Sequence, residues 1–537
     1  MKRLPTSTCA WNAARALGLA ALLVLGAAAS GYAAEPAPDH PDIEKARELL
    51  GAWRVEEARP VVEGLLEAQP ESVDALDLAA LLAYYEGAYA KALATAEKAL
   101  AIDGENDQRQ GLRLLLQQTH DVIRNFKRYE SDHFVIHLHE ESDGILAAPA
   151  LKALEQAHQE VGRALGYWPR SKVRVEIGSD VQSFGAITTF TLRDIEQTGA
   201  IGLCKFNKVM IISPRIMAHG YRWLDSLVHE YIHLAIVNLT RNKAPIWLHE
   251  GIARYYETVW RKPVQGPRPD YLTPANETLL ATAVERQEFV SFKDMEPSLI
   301  RLDTPQQVQL AYAEVASAVD YIRQTKGPSG IRDVLARVND QSTAEAIEAV
   351  MGVPLDAFEA DWRRFVEGQG LTVIQGSRMR TYKVAQEGGQ PAAVELNEIQ
   401  SEIARNRTHL GDRLRQRGRL RAASAEYRRA LRAGPNSTVI LTRLSETLIH
   451  SRRYDEALPH LEKALYLDPD LVHAFYLLGR LHHEAGDPTR ARRALLEALQ
   501  INPFHPGVYQ VLGGVYEAMG DDEGARKTRQ VMRKLRG

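Results

Sequence analysis

Five residues near the middle of the chain combine two histidines and a glutamate at a spacing that suits metal chemistry. The segment His229-Glu230-Tyr231-Ile232-His233 is an H-E-x-x-H motif. Residues four apart lie on one face of a helix, so His229 and His233 can bind a single metal ion. Glu230 projects to the side of that face, where it can take a proton from a metal-bound water without binding the metal itself.

A second segment offers the third ligand that such a site needs. Catalytic zinc sites use three protein ligands and one water, so two imidazoles leave the ion short of one ligand. The segment Trp247-Leu248-His249-Glu250-Gly251 follows shortly, and Glu250 is the candidate. His249 is an alternative. Neighbouring helical residues point about 100° apart, so one of the two should face the metal while the other points towards solvent or a neighbouring loop.

The residues around the motif predict an amphipathic, half-buried helix. Ionisable groups on a buried helix are costly unless they are paired or bound to a metal. The pattern therefore favours a metal site over two histidines that make ordinary hydrogen bonds. The apolar residues that recur at helical spacing are Leu224, Leu227, Val228, Tyr231, Ala235 and Ile236.

Together the two segments resemble those of the gluzincin metallopeptidases, the peptidase MA-like clan, in which the glutamate of a W-L-x-E-G segment completes the zinc site. The resemblance implies that His229, His233 and Glu250 bind Zn²⁺. It also implies that Glu230 is the general base in peptide-bond hydrolysis by a zinc-activated water.

A tyrosine is the candidate for stabilising the oxyanion that forms during such hydrolysis. Tyr312 is the first choice, with Tyr255 and Tyr256 as alternatives; it lies in a stretch, residues 310–324, that resembles a segment of peptidase MA-like proteins. The G-x-M-x-N segment that binds the free amine in the related aminopeptidases does not precede the motif. This favours an endopeptidase or a restricted processing enzyme.

The residues before the motif predict a small sheet. Strands are predicted at 134–139 and 173–177 with a helix over 151–165 between them, followed by a hairpin over 201–212 with Asn207-Lys208 at its turn. This order resembles the start of a gluzincin domain. In those enzymes the edge strand before the motif helix binds extended substrate by backbone pairing, which points to the 201–212 hairpin here.

A 34-residue period marks both ends of the chain as tetratricopeptide repeats, which stack as an α-solenoid. Near the amino end the match is looser, with Ala58 and Ala92 one period apart. The carboxyl-terminal registers are Pro435, Pro469 and Pro503; Ala423, Ala457, Ala491 and Ala525; and Gly418, Arg452, Gly486 and Gly520.

The predicted fold class is α+β, mostly α, with a zincin-like catalytic domain flanked by tetratricopeptide repeats. A chain of 537 residues is too long for one ordinary core. The glycines and proline near the end of the linker suggest a catalytic unit that is separable from the last repeats. The predicted segments are a signal peptide at 1–34, repeats at 40–127, the metallopeptidase domain at 128–368, a linker at 369–400 and repeats at 401–537.

The first residues predict export. Basic residues precede an apolar run at 16–29 that is short for a membrane span, and small residues place cleavage near Ala33 or Ala34. The protein is therefore expected in the periplasm or secreted, with no membrane span in the mature chain.

The expected partners are a protein or peptide substrate at the metal and protein partners on the repeats. The net charge of −3 gives no reason to expect nucleic acid. The clustered arginines at 413–421 predict a solvated face, with an anionic partner as the alternative. Two other functions stay open: a repeat scaffold with an inactive metal domain, and a zinc amidase that acts on a cell-wall substrate.

Overall fold

The computed structural model describes residues 41–190, 201–261, 269–377, 384 and 395–536. The predicted signal peptide, 1–34, lies outside the described residues. Within them the chain is mostly helical with one small mixed sheet, as the sequence predicts. A search of the described part of the chain finds no helix with the length and hydropathy that a membrane crossing requires.

The amino-terminal repeats form two helical hairpins and a closing helix. Ala58 and Ala92, one period apart, are fully buried where the two helices of each hairpin touch. These helices are α1 (Pro41–Gly51), α2 (Val55–Ala68), α3 (Val73–Tyr85), α4 (Tyr89–Ile102) and α5 (Asp107–Ile123).

A five-stranded sheet follows, in the spatial order β1-β2-β3-β5-β4. The β1–β2 and β5–β4 pairs are antiparallel, whereas β2–β3 and β3–β5 are parallel. β4 is therefore an edge of the described sheet, where the sequence predicts substrate pairing. The strands are β1 (Lys127–Glu130), β2 (Phe134–Leu138), β3 (Val173–Gly178), β4 (Gly202–Lys205) and β5 (Lys208–Ile212); the helices between them are α6 (Glu140–Asp143), α7 (Ala147–Leu165) and α8 (Val181–Thr188).

The hairpin between β4 and β5 turns one residue earlier than predicted. Lys205 pairs with Lys208, so Phe206 and Asn207 form a two-residue turn, both with positive φ (57° and 55°). This is the primed turn that matches the twist of a hairpin. The placement at Asn207-Lys208 was wrong because Lys208 is held inside the protein by its own ion pair.

The motif helix α9 (Trp223–Thr240) is the central helix of the region between the two sets of repeats. Leu227, Val228, Tyr231 and Ile232 are fully buried, and α9 packs on α7, β4 and β5. The helices that follow are α10 (Ile246–Tyr256), α11 (Pro274–Arg286), α12 (Pro305–Lys326), α13 (Gly330–Val338), α14 (Thr343–Met351) and α15 (Leu355–Glu367).

Gly251 allows α10 and α12 to approach each other closely. A Cβ atom at Gly251 would lie 2.5 Å from the carbonyl oxygen of Val315. No side chain can be accommodated at that distance, so this glycine sets the separation of the helices that carry Glu250 and Tyr312.

The carboxyl-terminal repeats form four helical hairpins in the predicted 34-residue register. The turn inside each hairpin contains a residue with positive φ. In chain order these residues are Gly418, Arg452, Gly486 and Gly520. The helices are α16 (Glu402–Gln416), α17 (Leu420–Ala433), α18 (Thr438–His450), α19 (Tyr454–Leu467), α20 (Val472–Glu484), α21 (Pro488–Ile501), α22 (Pro506–Ala518) and α23 (Asp522–Arg536).

These repeats bind directly to the start of the motif helix. Arg222, the residue before α9, contacts Asp470 Oδ1 at 2.6 Å and Glu497 Oε2 at 3.2 Å. The Tyr221 amide donates to the Ile501 carbonyl at 2.9 Å. The repeats therefore help to fix the position of the helix that carries both histidines.

The described part of the predicted linker is also packed. The Thr372 amide donates to Glu277 of α11 at 3.0 Å, and Asn436 of the repeats donates to the Gln375 carbonyl at 2.7 Å. The expectation of a separable catalytic unit therefore needs correction, because a cut after Gln390 would remove the partners of Arg222. The domain boundaries themselves stay predictions.

A buried ionic cluster joins the amino-terminal repeats to the sheet. Lys208 of β5 contacts Glu176 of β3 at 2.7 Å and the Tyr89 hydroxyl of α4 at 3.0 Å. Arg174 adds a second cation 3.0 Å from Glu176. Burial opposes the charge on Glu176, but Lys208 and Arg174 outweigh it and lower its pKa to about 2.

Replacing Lys208 with methionine should destabilise the region between repeats and sheet by about 3 kcal/mol, because Glu176 loses one cation in a buried position. Urea unfolding followed by circular dichroism measures the change in midpoint. Lys527→Met is the matched control, since Lys527 pairs with Glu523 on the surface; its midpoint should not move. Equal midpoints for the two variants would contradict the role of the cluster.

Candidate metal centre

His229, His233 and Glu250 meet at one point between α9 and α10. The Nε2 atoms of the two histidines are 3.1 Å apart. Glu250 Oε2 lies 3.3 Å from His229 Nε2 and 3.5 Å from His233 Nε2. The structure thus brings together the three residues that the sequence proposes as ligands.

The size of this triangle fits a zinc ion. Ligand atoms about 2.0–2.1 Å from a tetrahedral ion lie about 3.4 Å from one another. The three observed separations lie close to that value. Glu250 Oε2 is buried and faces the two histidine nitrogens, which places its lone pairs where a shared cation would bind. Two imidazoles and a carboxylate are also a ligand set that catalytic zinc uses.

Two further side chains hold the histidine rings. His229 Nδ1 donates to Glu257 Oε2 at 2.9 Å. His233 Nδ1 lies 3.3 Å from His249 Nδ1. A histidine that binds metal through Nε2 carries its proton on Nδ1, so His233 donates and His249 accepts. Glu257 lies seven residues after Glu250 in the sequence, and its contact with His229 gives it this supporting position.

His249 occupies a different place from the one the sequence predicts. It does not point towards solvent or a loop: it is 6% exposed and contacts His233. As predicted from helix geometry, His249 and Glu250 point in different directions from α10. Because α10 packs against α9, the direction of His249 leads to His233. Burial and the nearby His233 lower its pKa to about 3, which keeps the ring neutral and able to accept.

The electrostatics of the cluster favour a bound cation. Burial opposes charge on His229, but hydrogen bonds to Glu250 and Glu257 outweigh it and raise its pKa to about 10. Burial likewise opposes ionisation of Glu250, yet His233 and His229 hold its pKa well below the usual range. The carboxylates thus stabilise positive charge at the point where the ligand atoms converge.

Glu230 faces the edge strand beside the metal ligands. A Cβ atom on Gly202 would lie 2.7 Å from Glu230 Oε1, so the carboxylate occupies the space that a side chain at position 202 would fill. Burial raises the pKa of Glu230, which favours proton uptake. Gly202 is a site residue that the sequence analysis missed; a glycine inside a strand next to the motif helix was the available signal.

Among the three candidate tyrosines, Tyr312 is the one whose phenol is influenced by the charges of Glu250 and Glu230. The negative charge of Glu250, together with burial, raises the pKa of the Tyr312 phenol. The guanidinium of Arg254 lies 5.2 Å from the centre of its ring. The alternatives have other partners: the Tyr255 hydroxyl contacts Asp320 and the Tyr256 hydroxyl contacts Arg323.

Comparison with known sequences agrees with this geometry. Residues 153–368 match the sequence profile of the Peptidase MA superfamily. The chain carries a Peptidase MA superfamily domain. The tetratricopeptide repeat profile matches residues 43–107, 408–471 and 442–506, so repeats flank that domain on both sides, as predicted. No curated protein matches the chain.

Solved structures give partial likenesses. A MamA crystal structure is 27% identical over 25% of this chain and 74% of its own, with a TM-score of 0.24. The Cut9-Hcn1 hetero-tetramer of APC/C is 14% identical, covering 88% and 80%, with a TM-score of 0.27. Yeast LTA4 hydrolase in complex with bestatin is 10% identical, covering 76% and 67%, with a TM-score of 0.29.

The two residues of the His249-Glu250 pair should affect zinc binding to different degrees. Glu250→Ala removes a ligand and should lose zinc almost completely. His249→Ala removes only the acceptor for His233, so we expect zinc affinity to fall about 10- to 100-fold. Titration against a competing chelator measures both.

Two controls sharpen this comparison. His249→Asn keeps an acceptor and should recover part of the affinity, whereas His409→Ala, at an exposed repeat position, should change nothing. If His249→Ala abolished zinc binding while Glu250→Ala retained it, the third ligand would be His249 and the assignment would be wrong.

Proposed function

We propose that this chain is an exported zinc metallopeptidase that cleaves peptide bonds within protein or peptide substrates. The observation that carries the proposal is the triangle of His229, His233 and Glu250 with Glu230 beside it. This arrangement provides three metal ligands and a separate base, which is the minimum set for zinc-dependent hydrolysis. The Peptidase MA superfamily domain around these residues supports the same activity class.

Zinc held by the three ligands supplies Lewis-acid chemistry, since it polarises a carbonyl and lowers the pKa of water to about 7. The remaining work falls to the chain's own residues. Glu230 takes up a proton at its carboxylate, which its burial favours, and passes it to the leaving amine. Tyr312 donates its phenolic hydrogen to the developing oxyanion.

Edge strand β4 is proposed to orient the substrate. The partner of β4 on one side is β5, and Gly202 of β4 lies directly against Glu230. An extended peptide that paired with the other side of β4 would place its backbone close to the base and the metal. Strand pairing forms hydrogen bonds with the peptide backbone of the substrate, so it favours a polypeptide substrate over a cell-wall amide.

The repeats are proposed to recruit protein partners or substrate. Repeat stacks of this kind present extended binding surfaces. The carboxyl-terminal stack is anchored through Arg222 to the start of α9, so a protein held there stays close to the active site. Export to the periplasm or outside the cell is proposed from the basic and apolar pattern of the first residues.

Glu230→Gln should retain zinc and lose activity. The amide keeps the shape of the side chain but cannot take up the proton, so we expect kcat to fall at least about 100-fold. Casein cleavage by the mature chain measures this, with zinc content determined on the same samples. Glu288→Gln, an exposed change outside the site, should keep full activity.

Full activity of Glu230→Gln would contradict the proposal. Wild-type protein that binds zinc but cleaves neither casein nor short peptides, and instead releases fragments from peptidoglycan, would move the function to a cell-wall amidase. Zinc-loaded protein that is inactive on all three substrates would favour a scaffold with an inactive metal domain.

A further inference from the structure

A large cavity lies between the amino-terminal repeats and the catalytic sheet, away from the metal ligands. Its volume is about 1050 Å³. Its walls come from the turns of the repeats, from strands β1 to β3 and from the last turns of α9. The volume is at the upper end of the range for pockets that bind small organic molecules.

The lining of the cavity carries more cations than anions, although the chain as a whole is slightly acidic. Seven arginine and lysine side chains line it against three glutamates, while the whole chain has a net charge of −3. Five of these cations are paired with carboxylates: Arg54 with Glu57, Arg59 with Glu86, Arg128 and Lys172 with Glu130, and Arg174 with Glu176. Two arginines remain. A surplus of positive charge in a concave site raises the local electrostatic potential and attracts anions.

Arg170 and Arg241 are the cations in this wall that stay available. Across the described residues neither forms an ion pair. Both act on the same carboxylate: Arg54 makes the largest contribution to the lowered pKa of Glu57, and Arg241 and Arg170 add to it. Arg170 precedes β3 and Arg241 follows α9, so two separate segments bring guanidinium groups without an ion-pair partner among the described residues to this wall.

Trp53 gives the cavity an aromatic wall at an unusual backbone position. It lies two residues before α2, as Gly87 lies two residues before α4, and the carboxyl-terminal repeats place Gly418, Gly486 and Gly520 at the same point of the hairpin. Trp53 has a φ of 56°, a left-handed conformation that is costly for a bulky side chain. Tyr85 and Tyr167 also line the cavity.

Arg452 shares this φ in one carboxyl-terminal hairpin, but Trp53 is the aromatic residue at this position, and backbone strain of this kind clusters at binding sites. We propose that this cavity is a binding site for a small organic anion in which a planar aromatic ring carries phosphate or carboxylate groups. Arg170 and Arg241 bind the anionic group, since guanidinium forms charge-assisted and bidentate hydrogen bonds with both. Trp53 stacks on the ring.

The site is built to connect the repeats with the motif helix. Leu234 and Asn238 of α9 line the cavity, and Asn238 is five residues beyond His233, about 7.5 Å along the helix. A ligand in the cavity thus contacts the repeats through Trp53 and the motif helix through Asn238. Its binding stabilises the packing of the two against each other.

Calorimetric titration of the mature, full-length chain tests the proposal. The probes are AMP and benzene-1,3,5-tricarboxylate, which represent the phosphate and carboxylate sources of the same chemistry. At least one should bind, and more tightly than its uncharged or ringless counterpart: adenosine and inorganic phosphate for AMP, and citrate for the tricarboxylate. Failure of both probes to bind, or equal binding of the ringless anions, would overturn the proposal.

Three variants locate the bound probe. Arg170→Ala with Arg241→Ala should weaken binding at least about tenfold, since both positions are exposed and unpaired and the fold should tolerate the change. Trp53→Gly supplies the residue that four of the other hairpins use, with Arg452 as the exception, so it should stay folded by circular dichroism while binding weakens several-fold.

The matched control is Arg417→Ala with Arg421→Ala, which removes the same charge from an exposed face of the last repeats. It should bind the probe like wild type. Binding that survives in the Arg170 and Arg241 variant, or that is lost in this control, would place the anion at the metal or on the repeats and refute the cavity as its site.

Discussion

The structure depends on the concentration of ionisable side chains at the contact between α9 and α10. Two histidines and the carboxylates of Glu230, Glu250 and Glu257 share a space that is largely closed to water. Charges of this kind are tolerated in a low-dielectric site only when they are balanced. A divalent cation between the candidate ligand atoms would provide that balance, and the same charges would then tune the acidity of a water bound to it.

The helices that carry these groups are positioned by contacts on every side. Gly251 allows α12 to approach α10, and Gly202 gives Glu230 its place beside the edge strand. Arg222 binds the start of α9 to the carboxyl-terminal repeats. The buried ionic cluster of Lys208, Glu176 and Tyr89 binds the sheet to the amino-terminal repeats. The repeats thus belong to the framework that positions the candidate metal site.

Local sequence patterns predicted much of this architecture because they report local structure. Helical periodicity places His229, Glu230 and His233 correctly relative to one another, and the 34-residue register identifies the repeats. The pairing of Glu250 with the motif came from resemblance to a family, and the geometry of the three side chains agrees with it.

Other features depend on tertiary packing, which no local pattern reports. His249 contacts His233 only because α10 packs against α9 at one particular angle. The turn between β4 and β5 is set by the buried partner of Lys208, and the contacts of residues 372–375 are made with segments distant in sequence. Composition alone made that stretch resemble a free linker.

Anomalous diffraction at the zinc absorption edge, from crystals of the mature chain grown without chelator, tests the central claim most directly. The account predicts one strong peak per chain, within about 2.0–2.2 Å of His229 Nε2, His233 Nε2 and a Glu250 oxygen, with the ring of His249 beyond bonding distance. A chain that showed no such peak after zinc-replete preparation, or a peak ligated by His249 in place of Glu250, would contradict it.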